Sequence, residues 1–504
     1  KLDRTFWHSA LMKLIDQPHL CGEITLGDGE PVNVEYVSAN PTGPLHIGHA
    51  RGTVIGEVIA NLLDICDYDV TREYLINDSG GQINVLAKSV YLRYREALGE
   101  SVGEIPEGLY PGEYLKSIGQ ALADEFGPQW LDKPEDDWLN VFKEHAVNHL
   151  MQAIKHDLNL LGIRHDVFFS EKSLDDEGKV DQVIDKLENL GLLYQGKLPK
   201  PKSRNVEEQE YEAQELLLFR ATDFGDEVDR AMRKVNDDHT YLAADFAYHF
   251  DKYQRLSEQG GRRMINIFGA DHSGQVTPLK AGVQAITEGK AELTVILCQM
   301  VRFVQGGQPA KMSKRAGTYE TINDLIEAVG KDVVFFIFAT KDPNTQFTFD
   351  LELLTKQSMD NPVFYVQYAH ARATSVLNKA VEENITIDGI DEKLLASLTA
   401  PEELALIKKL TVYPDTVKNA ASKLAPHVLT DYLYNVANLF HSLWGSGHRD
   451  PAMRFIQDDA KVSRAKLALV KATKRVLSDG LQLCNVTPMD EMTRLDEDEF
   501  AQSA

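Results

Sequence analysis

The chain has 504 residues, 43% hydrophobic and 26% charged, a globular composition that excludes a disordered or fibrous chain and gives length for about three ordinary domains. No apolar run reaches the roughly 18 residues that a membrane helix needs, and no N-terminal stretch has the charged-then-apolar plan of a signal peptide, so a cytoplasmic protein is expected. A net charge of −24 opposes nucleic-acid binding over the whole surface and leaves it to local basic clusters: Lys197 to Arg204, Arg262 and Arg263, Lys311 to Arg315, and Lys461 to Arg475.

Residues 1–30 hold one short amphipathic run, Phe6 to Ile15, and the turn Gly27-Asp-Gly29; they read as the tail of something else rather than as a domain. Val32-Asn-Val-Glu-Tyr-Val37 alternates like a half-buried strand, and Gly48 to Cys66 has helical spacing. Between them lies Ser38-Ala-Asn-Pro-Thr-Gly-Pro-Leu-His-Ile-Gly-His-Ala-Arg-Gly52. Such a turn ends at a helix N-terminus, where unpaired N–H groups and the helix dipole favour phosphate, and Gly48 lets a nucleotide approach the backbone. His46 and His49, one turn apart, then face the same ligand; the plainer reading is two surface histidines that cap a helix.

Asp69 to Ile76 reads as a second strand that closes a strand-helix-strand unit, with Asn77 to Gln82 as its edge loop. Residues 83–165 are helical in period and acidic, Val167-Phe-Phe169 is a return strand, and Leu174 to Leu193 an amphipathic helix. The strand Met264 to Phe268 runs into Gly269-Ala-Asp-His-Ser-Gly-Gln275, a ligand loop at the end of a buried strand or a polar cap made by Asp271 or Ser273. Asp332 to Ala339 is a buried helix or strand. From Leu351 onward the period is helical, with helices expected over 402–413, 414–424, 427–443 and 462–480. Tyr432, Tyr434, Phe440 and Trp444 read as the core of that bundle rather than as a base-stacking platform. Cys21, Cys66, Cys298 and Cys484 lack Cys-x-x-Cys spacing, which argues for buried free thiols and against structural zinc.

His46-Ile-Gly-His49 matches the His-x-Gly-His signature of class I aminoacyl-tRNA synthetases and related nucleotidyltransferases, and Lys311-Met-Ser-Lys314 matches the second signature of that class, in the expected order. The flanks of the first motif, together with Asn361-Pro-Val-Phe-Tyr-Val-Gln-Tyr-Ala-His-Ala-Arg372, resemble the arginyl-tRNA synthetases in particular. That resemblance implies an α/β fold: a Rossmann-like parallel-sheet catalytic domain over 31–350 with a helical insertion at about 83–165, then an all-α anticodon-binding bundle over 351–504. Residues 1–30 are the remnant of an additional N-terminal domain on this reading. The intact Lys-Met-Ser-Lys sequence is a departure, since most members carry a degenerate one.

The same resemblance implies amino-acid activation by ATP followed by transfer to tRNA, with His46, His49, Lys311 and Lys314 as the catalytic residues. Pro44, His46, Gly48, His49, Gly269, Asp271, His272, Lys311, Met312, Ser313 and Lys314 would bind ATP. Glu35, Ser38, Asn40, His49, Tyr241, Asp245 and Gln275 would bind arginine, and Tyr365, Gln367, Tyr368 and Arg372 would meet tRNA. Guanidinium is planar and permanently charged, so a pocket for it needs a carboxylate and neutral acceptors, which these residues supply. ATP with Mg2+ is the expected cofactor, without tightly bound metal or organic group; the expected partners are L-arginine, ATP and tRNA(Arg), acting on a monomer away from membranes. Residue types alone leave open a tRNA-binding relative without chemistry, a tRNA-independent nucleotidyltransferase, and a cysteine or glutamate synthetase. The intact signature residues, the C-terminal helices, and the pocket composition with the missing zinc cysteines weigh against these in turn.

Overall fold

The structure, a computed structural model, describes residues 3–17, 19–21, 24–198, 215–309, 321–356 and 358–492. The helix α1 (Arg4–Asp16) is followed by the strand β1 (Pro31–Glu35), in which Val32, Asn33, Val34 and Glu35 are all buried. A strand buried on both faces belongs in the middle of a parallel sheet. The helix α2 (Ala50–Ile65) carries the chain to β2 (Asp69–Ile76), parallel to β1, and Gly56 lets α2 lie directly on Tyr36: a Cβ there would stand 2.3 Å from the Tyr36 side chain. The expected insertion is three helices, α3 (Gly81–Ala97), α4 (Leu115–Phe126) and α5 (Glu135–Leu160), with Tyr91 stacked on Trp138 at 3.9 Å. The return strand β3 (Val167–Ser170) pairs with β2.

The single helix expected over 174–193 is instead two, α6 (Lys172–Asp176) and α7 (Lys179–Asn189), because Gly178 turns left-handed at φ 65° between them. A small antiparallel sheet follows, β4 (Leu193–Gly196), β5 (Leu216–Phe219) and β6 (Arg230–Ala231), which the sequence did not announce. The helix α8 (Tyr241–Glu258) starts at a Thr240 cap and leads into β7 (Arg263–Gly269), on the other side of β1 from β2. After α9 (Ser273–Ile286), β8 (Glu292–Cys298) completes the sheet in the order β3-β2-β1-β7-β8. A third sheet joins β9 (Val301–Gln305) to β10 (Gln308–Pro309) and, in parallel, to the distant β11 (Phe347–Asp350). Between them, α10 (Ile322–Val329) and α11 (Lys331–Ala339) settle the ambiguous apolar run 332–339 as helix.

The rest is helical: α12 (Leu351–Leu354), α13 (Pro362–Glu382), α14 (Glu392–Leu395), α15 (Pro401–Thr411), α16 (Tyr413–Ser422), α17 (Pro426–Arg449) and α18 (Ala460–Leu483). Tyr432 and Phe440 are core residues as expected, whereas Tyr434 is 40% exposed and stacks on Tyr365. The helix α1 belongs to this bundle in packing terms. The His8 ring meets the Leu398 carbonyl at 3.0 Å, Ser9 donates to Glu392 at 2.6 Å, and Arg475 donates to the Leu14 carbonyl at 3.2 Å. The apolar core runs without a break from β1 and α2 into the bundle. Asn61 of α2 donates to the Leu483 carbonyl at 3.3 Å, and Asn485 to the Leu161 carbonyl at 3.0 Å. All four cysteines are buried and free, and burial pushes the thiols up, Cys66 to about 11 and Cys298 and Cys484 to about 12. Among the described residues no helix is long and apolar enough to cross a membrane.

Adding one methyl at Gly56 overfills the contact between α2 and Tyr36. Gly56→Ala is expected to lose about 1–3 kcal/mol of stability, the usual cost of overpacking, read as a fall in the urea midpoint at unchanged slope.

Candidate active site

The chain leaves β1 toward β2 and leaves β7 toward β8, in opposite directions from neighbouring strands, which opens a crevice at their carboxyl ends where open α/β sheets bind ligands. The His46 turn forms one bank. Ile47–His49 is a single 3-10 turn that feeds α2, and both histidines cap it: His46 Nδ1 accepts from the Gly48 N–H at 3.0 Å, and His49 Nδ1 accepts from the His46 N–H at 3.1 Å. The capping reading is what these bonds show, and it leaves Nε2 of each ring outside them. A ring nitrogen that accepts from an N–H carries no proton, so the bonding assigns both imidazoles the neutral Nε2–H tautomer, each with one outward donor. Burial and the neighbouring His46 hold the His49 pKa below its ordinary value, which favours the same state. The rings stand nearly perpendicular, 6.5 Å apart between centroids, at the positive end of α2.

The opposite bank is the end of β7. Gly269 leads into the 3-10 turn Ala270–His272, and the Asp271 carboxylate folds back to where a Gly269 Cβ would lie, at 2.4 Å. Its charge reaches His49 across the crevice. His272 meets Asp271 at 3.6 Å and Gln275 at 3.2 Å, with Asp271, His272 and Gln275 exposed. Pro44 and Gly48 lie on the first bank, half-buried and exposed. Lys311, Met312, Ser313 and Lys314 lie outside the described residues. On the far side of that stretch, Thr321 forms an antiparallel bridge with His46, and Ile322 donates to the Leu45 carbonyl at 2.9 Å.

Beneath the crevice the polar groups are buried and paired. Glu35 and Glu73 are register partners on β1 and β2, and α8 supplies their cations. Lys252, fully buried, donates to Glu35 at 2.5 Å, and Arg255 grips Glu73 with two bonds of 2.8 and 3.0 Å. Burial raises the Glu73 carboxyl, but Lys252 and Arg255 outweigh it and hold its pKa below the usual range. Asn266 of β7 donates to His249 at 2.9 Å and receives a bond from Lys252 at 3.3 Å. Burial and Lys252 push His249 down to about 3, so it stays neutral. Ser38 donates to the second oxygen of Glu35 at 3.1 Å and accepts from the Leu75 N–H at 3.1 Å, on a turn where Val37 and Ser38 are both left-handed. Such strain in side chains other than glycine collects at functional turns.

Glu35 is already engaged, since Lys252 and Ser38 each donate to one of its oxygens. Asp245 is different. Half-buried one turn along α8 from Tyr241, its carboxylate has no lysine or arginine partner among the described residues. Burial, reinforced by Glu171 and Glu35, pushes its pKa up to about 7. Glu171, just after β3, joins Asp245 and Glu35 in an acidic cup that sequence reasoning missed. Ser79 donates to it at 2.7 Å, and burial and Asp78 raise its pKa. Its only sequence signal was its place just after a predicted strand. Tyr241 is 73% exposed at the mouth of this acidic cup, with the Lys234 ammonium 5.5 Å above its ring. Asn40 donates to Gln82 at 3.1 Å on the rim.

Of the residues expected to meet tRNA, two are interior. Gln367 is buried and gives its amide to Asp332 at 2.9 Å and to the Thr487 carbonyl at 2.8 Å. Tyr368 is 6% exposed, between Phe364 and the Arg372 guanidinium. Their polarity serves packing, so direct contact by either is withdrawn. Tyr365 and Arg372 are half-buried, the latter over Trp444 at 5.1 Å, and they reach the surface beside Tyr434. Among the described residues no cluster of His, Cys, Asp or Glu could hold a metal ion.

Residues 12–110 match the family described as tRNA synthetases class I (R), catalytic domain, and residues 366–492 match the DALR anticodon binding domain. With the switch-point crevice and its capping histidines, these define a class I aminoacyl-tRNA synthetase. The chain is 46% identical over 499 residues to the arginine–tRNA ligase of Chelativorans sp. (strain BNC1), covering 98% of this chain and 84% of that one. It is 47% identical over 497 residues to that of Rhodopseudomonas palustris, with 96% and 82% covered. The crystal structure of a Campylobacter jejuni protein assigned as an arginyl-tRNA synthetase superposes with a TM-score of 0.81 at 29% identity, over 97% of this chain and all of that one. The chain belongs to the arginine–tRNA ligase family.

The paired caps have a spectroscopic consequence. Nitrogen-15 NMR should show His49 as the neutral Nε2–H tautomer at pH 7, titrating below the ordinary histidine value of about 6.5. A cationic His49 at pH 7 would contradict the assigned bonds.

Proposed function

We propose that the chain activates L-arginine with ATP and transfers it to tRNA(Arg), and that the crevice between the His46 turn and the Gly269–Gln275 loop is where activation occurs. One observation carries this reading: a half-buried carboxylate, Asp245, without a lysine or arginine partner among the described residues, lies beside Glu35, whose strand leads through Ser38 into the turn that ends in two neutral N–H donors at a helix N-terminus. The Asp245 carboxylate suits a guanidinium and the N–H donors suit phosphate. In the activation step an arginine carboxylate oxygen attacks the α-phosphorus of ATP and the bond to pyrophosphate breaks. A hydroxyl at the 3′ end of tRNA then attacks the arginyl carbonyl, and AMP leaves. Neither step needs a covalent enzyme intermediate, so the protein contributes position and charge.

In this assignment His46 and His49 donate through Nε2 to phosphate oxygens as negative charge builds on them. Lys311 and Lys314 neutralise the outgoing pyrophosphate; Mg2+ bound to the ATP phosphates would add charge neutralisation there. Gly48, Pro44, Gly269, Asp271 and His272 shape the nucleotide's bed. Asp245 receives the guanidinium, Tyr241 covers the mouth, and Asn40, Ser38 and Gln275 line the rim. Glu35 acts from behind, through Lys252 and its charge on Asp245. The α13–α17 surface at Tyr365 and Arg372 receives tRNA. We assign the enzyme to the cytoplasm as a monomer.

Incubating the protein with total tRNA and each labelled amino acid in turn tests the activity itself; charging by an amino acid other than arginine would refute it. Asp245→Asn keeps shape and removes charge, so the KM for arginine should rise at least about tenfold, as a charged hydrogen bond of roughly 1.5–3 kcal/mol requires, with the KM for ATP unchanged.

The raised pKa of Asp245 gives arginine binding a pH dependence. Asp245 titrates near 7 and must be ionised to hold guanidinium, so arginine binding is strongest above pH 7 and weakens as pH falls below it, at a limit of about tenfold per unit. Glu171→Gln removes a neighbouring negative charge and should move that inflection to lower pH. Titration calorimetry of arginine between pH 5.5 and 8.5 measures both, and a flat profile would exclude Asp245 as the titrating group.

A further inference from the structure

Arg51 lies two residues beyond His49, and its guanidinium is shut away from solvent, 2% exposed. No carboxylate pairs with it among the described residues. Nη1 donates to the Gln299 carbonyl at 2.8 Å and Nη2 to the Asp342 carbonyl at 2.8 Å, while the plane lies over the Phe347 ring at 5.3 Å. The Asp342 carboxylate turns elsewhere, to the Asn344 N–H at 2.9 Å. Burial lowers the Arg51 pKa. A buried cation held by neutral carbonyls is expensive, and a greasy side chain would fill the space at less cost.

What the guanidinium joins gives the reason. Gln299 and Met300 form the corner between β8 and β9, on the carboxyl edge of the main sheet beside the Gly269–Gln275 loop, and Met300 is 74% exposed there. Asp342 begins the turn into β11, whose Phe347 pairs in register with Val301 of β9. Gln299 also donates its N–H to the Pro343 carbonyl at 2.9 Å, so corner and turn move together. Arg51 is thus the link between this unit and the first turn of α2, where the capping histidines sit. Only a planar fork with divergent donors spans two carbonyls on separate segments; a lysine ammonium offers one point.

We propose that Arg51 is a positioning residue that sets the spacing between the His46 and His49 donors and the β8–β9 corner, which adjoins the Gly269–Gln275 bank of the crevice through the Gly269–Cys298 pairing. The inference rests on the activation chemistry proposed above. The test is pyrophosphate exchange with tRNA present, normalised to titrated active sites, for the wild type, Arg51→Lys and Phe347→Leu. Arg51→Lys should lower kcat at least tenfold and leave the KM for arginine within about threefold, because Asp245 and its cup are untouched. Phe347→Leu keeps both carbonyl bonds but loosens the plane, and kcat should fall threefold or more. A merely structural role would lower melting temperature and the active fraction with kcat per active site intact, and that result overturns the proposal. If Arg51→Lys fails to fold, Phe347→Leu decides: an unchanged kcat per active site again overturns it. A wild type without exchange would refute the activity, a separate failure.

Discussion

Two carboxylates side by side inside a parallel sheet are the constraint on which the catalytic half depends. Glu35 and Glu73 face each other in register on β1 and β2, both almost wholly removed from water. Such a pair is tolerable only if cations and hydrogen bonds reach it, and removing one partner of a buried pair costs far more than a surface ion pair would. The helix α8 provides both cations, Lys252 and Arg255, and Asn33, Asn266 and Tyr248 complete the bonding. The network fixes α8 against the sheet, and α8 carries Asp245. The remaining negative charge of the cup is therefore placed by the part of the molecule least able to move.

The crevice follows the same logic of charge held in readiness. On one bank, backbone N–H groups that a helix start would leave unsatisfied are spent on imidazole nitrogens, which turns two histidines into neutral donors aimed outward. Beside Glu35 and Glu171, Asp245 stays partly protonated because burial and those two carboxylates oppose its charge.

The bundle is tied into the rest more closely than a tethered module would be. It shares an apolar core with α2, and α1 packs on its outer helices although it opens the chain. Movement of the α13–α18 surface is thereby mechanically connected to the helix that the capping histidines begin. Gln367 illustrates it: its amide ties α13 to Asp332 at the start of α11.

Sequence alone determined the strand-helix-strand unit, the turn bearing His46 and His49, the helical character of residues 83–165, and most helix spans beyond Leu351. These rest on local properties: side-chain period, glycine and proline at turns, and a signature whose residues lie close together. The family resemblance also named Asp245. Tertiary structure decided whatever depended on what was brought alongside. Glu35 is occupied because Lys252, 217 residues away, is folded onto it. Glu171 enters the cup because β3 returns beside β2. Gln367 and Tyr368, which the resemblance assigned to tRNA, are interior because Asp332, Thr487 and Arg372 meet them there. The β9–β11 pairing and the small β4-β5-β6 sheet escaped notice because their strands are short and widely separated. Charge pairing and burial belong to neighbours in space, which periodicity along one chain does not specify.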